Sequence, residues 1–241
     1  MALAFIVVTV AALAASPAWS GPHEDGDAAF AAKNYKQAMK FYQQAAAQGE
    51  HWSENSIGTM YEKGLGVPAD PQKALLWFGK SAKGANPWGQ YNLGRFYDEG
   101  LGTKKDQATA VRYFKLAASQ GNVWANYRLG QMYGDGVGVK KDRELSQSYY
   151  LKAANAGNDW AQYALAEIYS INAGRMPNMK EAIKWYRKSA AQKNEWAAYK
   201  LALILIEGRY TPKDIPKAKS LLEMSKSQGN KQAAKELKAL K

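Results

Sequence analysis

Five tryptophans stand at equal intervals along this chain of 241 residues. Each follows the previous one by 36 residues, and they are Trp52, Trp88, Trp124, Trp160 and Trp196. A constant period of this length indicates a repeat array, in which each unit packs on its neighbours. The period therefore constrains the fold more strongly than any other feature of the sequence.

Each repeat contains two stretches with the apolar spacing of a helix, in which one face recurs every three or four residues. In the repeat 71–106, the apolar face of the first stretch consists of Ala74, Trp77, Phe78 and Ala82. That of the second consists of Gly89, Leu93, Phe96 and Tyr97. Gly94 and Gly130 recur inside the second stretch, where a glycine indicates tight contact between helices. The chain is thus expected to be all-α, with two helices per repeat.

The connections between the helices are equally regular. Gly-x-Gly triplets at residues 64–66, 100–102 and 136–138 end one helix, where glycine can adopt the left-handed conformation of a C-cap. They follow helices rather than strands, so a phosphate-binding loop is not favoured. A side chain suited to N-capping precedes the next helix in every repeat: Asp70, Asp106, Asp142, Asn178 and Asp214.

These motifs resemble the Sel1-like repeat, a relative of the tetratricopeptide repeat. The match runs in order through one repeat, at Ala125, Tyr127, Leu129, Gly130, Tyr133, Gly136, Gly138, Val139, Asp142, Ala153, Ala154, Gly157 and Asn158. The resemblance implies a right-handed α-solenoid with a concave face, and a role in assembling or inhibiting protein complexes. We place the repeat units at residues 28–70, 71–106, 107–142, 143–179 and 180–214, with a C-terminal cap at 215–241.

Two units depart from this pattern. Residues 172–175 and 206–211 replace the usual glycine triplet, so the last two units are expected to curve differently. The segment 21–27 is polar and contains Gly and Pro, which predicts a loose N-terminus.

The first 20 residues have the pattern of a secretory signal. An apolar stretch ends at Ser16–Pro17, and small residues precede a cleavage position after Ser20. The stretch is short for a membrane span, and no Lys or Arg precedes it. We predict a periplasmic or secreted protein; an uncleaved N-terminal anchor is the alternative.

The net charge of +12 favours an acidic protein partner or anionic lipid head groups. Export makes nucleic acid an unsuitable partner, and membrane contact is expected to be peripheral at most. The loop pairs Lys104–Lys105 and Lys140–Lys141 add solubility or contact such a partner.

Catalytic chemistry has no support in the sequence. The chain has no cysteine, its two histidines, His23 and His51, lack metal-ligand spacing, and no serine is followed three residues later by lysine. Carboxylates such as Glu62 and Glu99 are scattered at helix ends, where they are commonly solvated. We predict no enzyme activity, no metal and no cofactor.

The tryptophans belong to a different side of their helix from the core. At about 100° per residue, Trp88 and Tyr91 point away from the core residues Leu93 and Phe96. This stripe lines the concave groove in related repeats. The predicted partner-binding residues are Trp52, Trp88, Tyr91, Arg95, Trp124, Tyr127, Gln131, Trp160, Tyr163, Glu167, Trp196 and Tyr199.

The tryptophans either stack on neighbouring repeats and stiffen the array, or anchor a partner, since aromatic side chains dominate interface hot spots. The main hypothesis is an exported, non-enzymatic adaptor, regulator or inhibitor. One form of it, implied by the family, is an immunity protein that neutralises a secreted antibacterial effector. The alternative is a protein that binds cell-wall glycan on an aromatic ladder.

Overall fold

A computed structural model of the protein describes residues 21–171 and 177–240. Within them the chain forms thirteen α-helices and every regular element is helical. The odd-numbered helices are α1 (Pro22–Ala31), α3 (His51–Lys63), α5 (Pro87–Glu99), α7 (Val123–Asp135), α9 (Asp159–Ser170), α11 (Glu195–Glu207) and α13 (Lys231–Ala239). The even-numbered helices are α2 (Tyr35–Ala47), α4 (Pro71–Lys83), α6 (Gln107–Ser119), α8 (Arg143–Asn155), α10 (Met179–Ala191) and α12 (Ile215–Ser227). The prediction of an all-α solenoid is confirmed.

Side-chain caps begin helices of both sets. The predicted N-caps of the even helices are all formed; Asp106, for example, accepts a hydrogen bond from the Thr109 backbone N–H at 2.9 Å. From α5 onward the odd helices begin at a buried asparagine of the same 36-residue period: Asn86, Asn122, Asn158, Asn194 and Asn230. Each of these caps satisfies backbone donors that would otherwise lack a partner.

The glycine loops end the odd helices as expected. Gly64, Gly100 and Gly136 adopt the left-handed conformation at the C-caps of α3, α5 and α7. The second glycine of a triplet has another role, because a Cβ atom on Gly102 would lie 2.6 Å from the carbonyl oxygen of Pro71. Each loop thus packs closely against the even helix of the preceding repeat.

The core lies between each odd helix and the even helices that precede and follow it along the chain. Leu93 and Phe96 are buried as predicted, and the ring of Phe96 meets that of Phe78 edge-on at 5.0 Å. A Cβ atom on Gly94 would lie 2.9 Å from the ring of Phe114, so glycine allows that ring to approach the α5 backbone. The recurring glycines therefore mark close helix contact.

Contacts between helices define the order and curvature of the array. The most extensive packing joins an odd helix to the next even helix, such as α3 to α4 and α7 to α8, so the natural pairs begin one helix earlier than the predicted unit boundaries. Of the helices two apart in sequence, α3 and α5 make the most contacts, followed by α1 and α3. Because consecutive odd helices approach each other, they lie on the inner, concave side, and the even helices lie outside.

The prediction of a loose N-terminus at residues 21–27 is wrong, because helix α1 begins at Pro22. Pro22 and the acidic Glu24 and Asp25 suit the first turn of a helix. Tertiary contacts complete the explanation: a Cβ atom on Gly26 would lie 2.5 Å from the Tyr42 ring, whose hydroxyl donates to Asp27 at 2.7 Å. The helix is therefore ordered by α2 rather than by its own apolar content.

The second unusual loop retains part of the standard connection. Gly208 occupies the left-handed C-cap of α11, with its N–H donating to the carbonyl of Ile204.

The predicted signal segment 1–20, the loop residues 172–176 and Lys241 lie outside the described residues. No helix among the described residues is long and apolar enough to span a bilayer.

Candidate partner-binding surface

The tryptophan row, defined as Trp52, Trp88, Trp124, Trp160 and Trp196, occupies the second position of five successive odd helices. Trp52, Trp88 and Trp124 are exposed, at 46%, 39% and 40%, whereas Trp160 and Trp196 are half-buried. The row follows the N-terminal ends of helices on the inner side of the array. Its most accessible part therefore spans the first three of these helices.

Each central tryptophan is supported by the tyrosine three residues later on the same helix. Trp88 meets Tyr91 edge-on with ring centroids 5.9 Å apart, and Trp124 meets Tyr127 at 6.3 Å. Trp160 and Tyr163 repeat the arrangement at 6.4 Å. Edge-to-face contacts of this kind hold a ring in place without burying it completely.

The tyrosines continue this contact to the core. Tyr91 packs on Phe114 at 5.7 Å, and Tyr127 packs on Tyr150 at 5.9 Å. Burial raises the pKa of both Tyr91 and Tyr127. Burial, together with the charge of Glu167, raises the pKa of Tyr163 to about 12. The tyrosines are therefore packing residues, and the tryptophans are the more accessible ends of three-ring clusters.

Concave spaces adjoin the exposed tryptophans. One of about 320 Å³ lies between Trp88 and Trp124, and its other lining residues include Gln120, Asn122 and Val123. A larger one, of about 530 Å³, adjoins Trp52 beside the N-terminal end of α1. The row thus combines apolar ring surface with nearby amide and carboxylate groups.

The remaining predicted site residues bond within the protein. Arg95 pairs with Glu62 of α3 at 2.5 Å, and Lys200 of α11 pairs with Glu167 at 3.2 Å. Glu167 also accepts a hydrogen bond from the Tyr186 hydroxyl.

Gln131 also forms hydrogen bonds within the protein, here to two residues of its own helix α7. Its side-chain amide donates to the Tyr127 hydroxyl at 3.0 Å, and its oxygen accepts from Arg128 at 3.3 Å. Arg95 and Glu167 therefore link neighbouring odd helices, whereas these bonds of Gln131 lie within α7. Trp52, Trp88 and Trp124 remain the exposed aromatic groups of this surface.

Inter-repeat polar contacts of this kind were not predicted. Asn92 of α5 donates to Asn55 of α3 at 2.9 Å, and Gln120 donates to Gln90 at 2.9 Å. A helical wheel of one helix cannot show such pairs, because the partners are about 30 or more residues apart. Their recurrence with the repeat is the one sequence signal that could have suggested them.

Charge is distributed very differently on the two sides of the array. The even helices α2–α12 carry sixteen Lys or Arg residues and three Asp or Glu residues. The odd helices α1–α11 carry four basic and twelve acidic residues. The basic residues behind the net charge of +12 therefore lie mainly on the outer helices, and the odd helices that carry the tryptophan row are acidic on balance. The expected acidic partner stays a prediction.

Metal-ligating groups do not cluster in the part of the chain that the structure describes. Among residues 21–171 and 177–240, no group of three or more His, Asp or Glu side chains is placed to hold a metal ion. His23 bonds to the Ser53 hydroxyl at 2.8 Å, and His51 contacts Glu54 at 2.8 Å. Both histidines thus have local partners near the start of the array.

Comparisons with known proteins agree with this architecture. The chain resembles a Sel1 repeat protein from Oxalobacter formigenes at 30% identity and a TM-score of 0.85, covering 90% of this chain and 89% of that one. It also resembles c5321, a protective antigen of uropathogenic Escherichia coli, at 35% identity and a TM-score of 0.83, covering 90% of this chain. The chain spans 47% of that protein's length.

More distant similarity shows the fold alone. The immunity protein PA5088 from Pseudomonas aeruginosa is 23% identical, with a TM-score of 0.57, and the match covers 87% of this chain and 82% of that one.

A search of curated proteins found no match. The Sel1 repeat family matches residues 23–50, 53–86, 89–122, 125–158, 161–194 and 197–230. The chain therefore belongs to the Sel1 repeat family, whose repeats form a non-catalytic scaffold for protein interaction.

Proposed function

We propose that the protein is an exported binding protein that engages another protein through the tryptophan row, as an adaptor, regulator or inhibitor. The observation that carries this proposal is the equivalent placement of three exposed tryptophans, Trp52, Trp88 and Trp124, on one side of the array. Aromatic anchors contribute much of the binding energy at protein interfaces. Exposed rings at a fixed spacing suit an extended partner surface.

The support beneath the rings adds to this proposal. Trp88 and Trp124 each contact a tyrosine that packs on a ring of the following even helix. A ring that is already held in place loses less conformational freedom when a partner binds. The acidic balance of the odd helices favours a partner surface that is apolar or basic at its contact.

A specific form of the proposal is an immunity protein that blocks a secreted antibacterial effector. Similarity to immunity protein PA5088 supports a fold suited to that role, at 23% identity. The signal pattern of residues 1–20 supports export to the compartment where such an effector would be met. Periplasmic or secreted location is thus part of the same proposal.

Binding of cell-wall glycan is the second candidate, favoured by the cavity between Trp88 and Trp124 with its amide side chains Gln120 and Asn122. Aromatic rings beside hydrogen-bonding groups can hold a sugar ring. This candidate predicts that the purified protein sediments with isolated peptidoglycan through the tryptophan row, with no protein partner required.

One comparison separates these functions. The wild-type protein, the double variant Trp88→Ala/Trp124→Ala and the control Trp77→Ala are immobilised and exposed to an envelope extract or to peptidoglycan. Trp77 is a half-buried tryptophan of the even helix α4, so its variant controls for loss of an indole ring. A protein retained by wild type and control but lost by the double variant supports the proposal, whereas the same loss seen only with peptidoglycan supports glycan binding.

The proposal fails if all three proteins retain the same partners with equal affinity while circular dichroism shows equal helix content. If the double variant loses both its binding partners and its helix content, the tryptophans are instead packing residues.

A further inference from the structure

The even helices present a second regular surface on the outside of the array. Each contributes an inward-pointing residue to the core, at positions 42, 78, 114, 150, 186 and 222. The residues two before and two after it point about 200° away from that residue, and therefore outward. We name these paired positions the outer ridge.

The composition of the outer ridge is one-sided. The preceding positions hold Lys40, Leu76, Arg112, Ser148, Lys184 and Ser220, all of them exposed. The following positions hold Gln44, Lys80, Leu116, Lys152, Lys188 and Met224, all exposed except the half-buried Met224. The ridge therefore combines at least one basic residue in each of its first five repeats with large apolar groups, and it contains no carboxylate.

Two of the three apolar residues of the ridge are exposed. Leu76 and Leu116 are 58% and 50% exposed, and each has a basic ridge residue on the same helix. Lys80 lies 3.8 Å from the centre of the Trp77 ring, and Lys188 lies 4.5 Å from that of Trp185. Exposed leucines thus stand beside basic side chains on the outer side of two neighbouring repeats.

We propose that the outer ridge binds an anionic lipid surface. Basic side chains are attracted to anionic head groups, and neighbouring apolar side chains can enter the boundary between head groups and acyl chains. The charge extends over five repeats instead of converging on one pocket, which suits an extended, uniformly charged surface. The ridge is also the outermost line of each even helix, so it meets a flat surface before the rest of that helix.

This orientation would leave the tryptophan row facing away from the lipid. The two surfaces belong to different sets of helices, so one chain could hold a partner on the inner side while its outer side contacts the membrane. The lipid proposal stands independently of the proposed protein partner.

The test measures flotation of the protein with vesicles of phosphatidylcholine alone or with a third of the lipid as phosphatidylglycerol. We expect binding to the anionic vesicles only. The ridge variant Lys40→Glu/Arg112→Glu/Lys184→Glu should bind at least roughly a hundredfold more weakly, at roughly fivefold for each of the three basic residues removed. The control Lys104→Glu/Lys105→Glu/Lys141→Glu makes the same change in net charge in exposed loops and should bind like wild type.

A second variant tests the apolar contribution. Leu76→Ser/Leu116→Ser should weaken vesicle binding several-fold at unchanged charge, and circular dichroism checks that each variant is folded. The proposal is overturned if wild type does not float with anionic vesicles, if it binds both vesicle types equally, or if ridge and control variants lose binding equally. It is also overturned if polyglutamate competes fully and the leucine variant is unaffected, because the ridge would then fit an acidic polypeptide.

Discussion

Trp124 and Tyr127 meet edge-on, with ring centroids 6.3 Å apart and ring planes at 85°. Tyr127 in turn packs on Tyr150 of the following even helix, while Trp124 remains 40% exposed. The two roles considered for the tryptophans are therefore compatible in one residue. One part of the indole is fixed by the fold, and another part is open to a partner.

This geometry predicts a modest stability effect for the tryptophan. Trp124→Ala should lower the free energy of unfolding by about 1–2 kcal/mol, because it removes one edge-to-face contact and part of the buried ring. Phe114→Ala, at a fully buried position, should lower it by about 3–5 kcal/mol. Urea unfolding followed by circular dichroism compares them. Equal losses would place Trp124 in the core and contradict its assignment as an accessible anchor.

Two glycines in helices should respond to alanine with opposite signs. A Cβ atom on Gly130 would lie 2.6 Å from the Tyr150 ring, so Gly130→Ala should lower the free energy of unfolding by about 1–3 kcal/mol. A Cβ atom on Gly79 meets nothing within 4 Å, so Gly79→Ala should raise it by up to about 1 kcal/mol. Thermal unfolding of the two variants measures the difference. A stabilising Gly130→Ala would contradict the close helix contact.

Much of this fold follows from the sequence alone. The 36-residue period, the aspartate caps and the glycine C-caps are local signals, and each has a backbone conformation that it specifies. Leu93 and Phe96 follow from helical periodicity. Helix α1 does not, because its residues 22–27, which the sequence predicts to be loose, are ordered by contacts with Tyr42 and Ser53, which lie further along the chain.

The candidate surface was predictable only in part. The position of the tryptophan row off the core face follows from the helical wheel of one helix. The engagement of Arg95 by Glu62, and of Glu167 by Lys200, depends on how neighbouring repeats are placed. The difference in charge between odd and even helices can be predicted from the sequence by counting charged residues helix by helix. The net charge of the whole chain does not show this difference.

Three tyrosines, the buried Tyr186 and the half-buried Tyr150 and Tyr163, predict sensitivity to alkaline pH. The pKa of Tyr163 is raised to about 12 from its ordinary value near 10, and burial also raises the pKa of Tyr150 and Tyr186. Because the folded pKa exceeds the unfolded one, the stability contribution is complete below about pH 10 and is lost as pH rises from there toward 12.

Stopped-flow ultraviolet absorbance of tyrosinate can check this. Exposed tyrosines should ionise at once above pH 10, and the buried ones should ionise only at the rate of unfolding. Tyr163→Phe should reduce the slow fraction and lessen the loss of stability with rising pH. Immediate ionisation of every tyrosine at pH 11 would contradict the burial of these rings.

The inter-repeat ion pairs should differ in strength from the exposed pairs. The Asp98 side chain is only 9% exposed and pairs with Arg128. Arg128→Ala should therefore lower the free energy of unfolding by about 1–2 kcal/mol, and adding Asp98→Asn should recover part of the loss. Lys226→Ala removes an exposed pair with Glu223 and should change it by less than about 0.5 kcal/mol. Equal effects in chemical denaturation would contradict a stabilising role for the inner pairs.

Site-specific photo-crosslinking in living cells tests the proposed interface most directly. A photoreactive amino acid is placed at position 88 or 124 of the tryptophan row, or at position 77 of α4 as the control. We predict one discrete cross-linked protein partner from positions 88 and 124 and none from position 77. Absence of a product at both row positions, or the same product from position 77, would contradict the tryptophan row as the partner-binding surface.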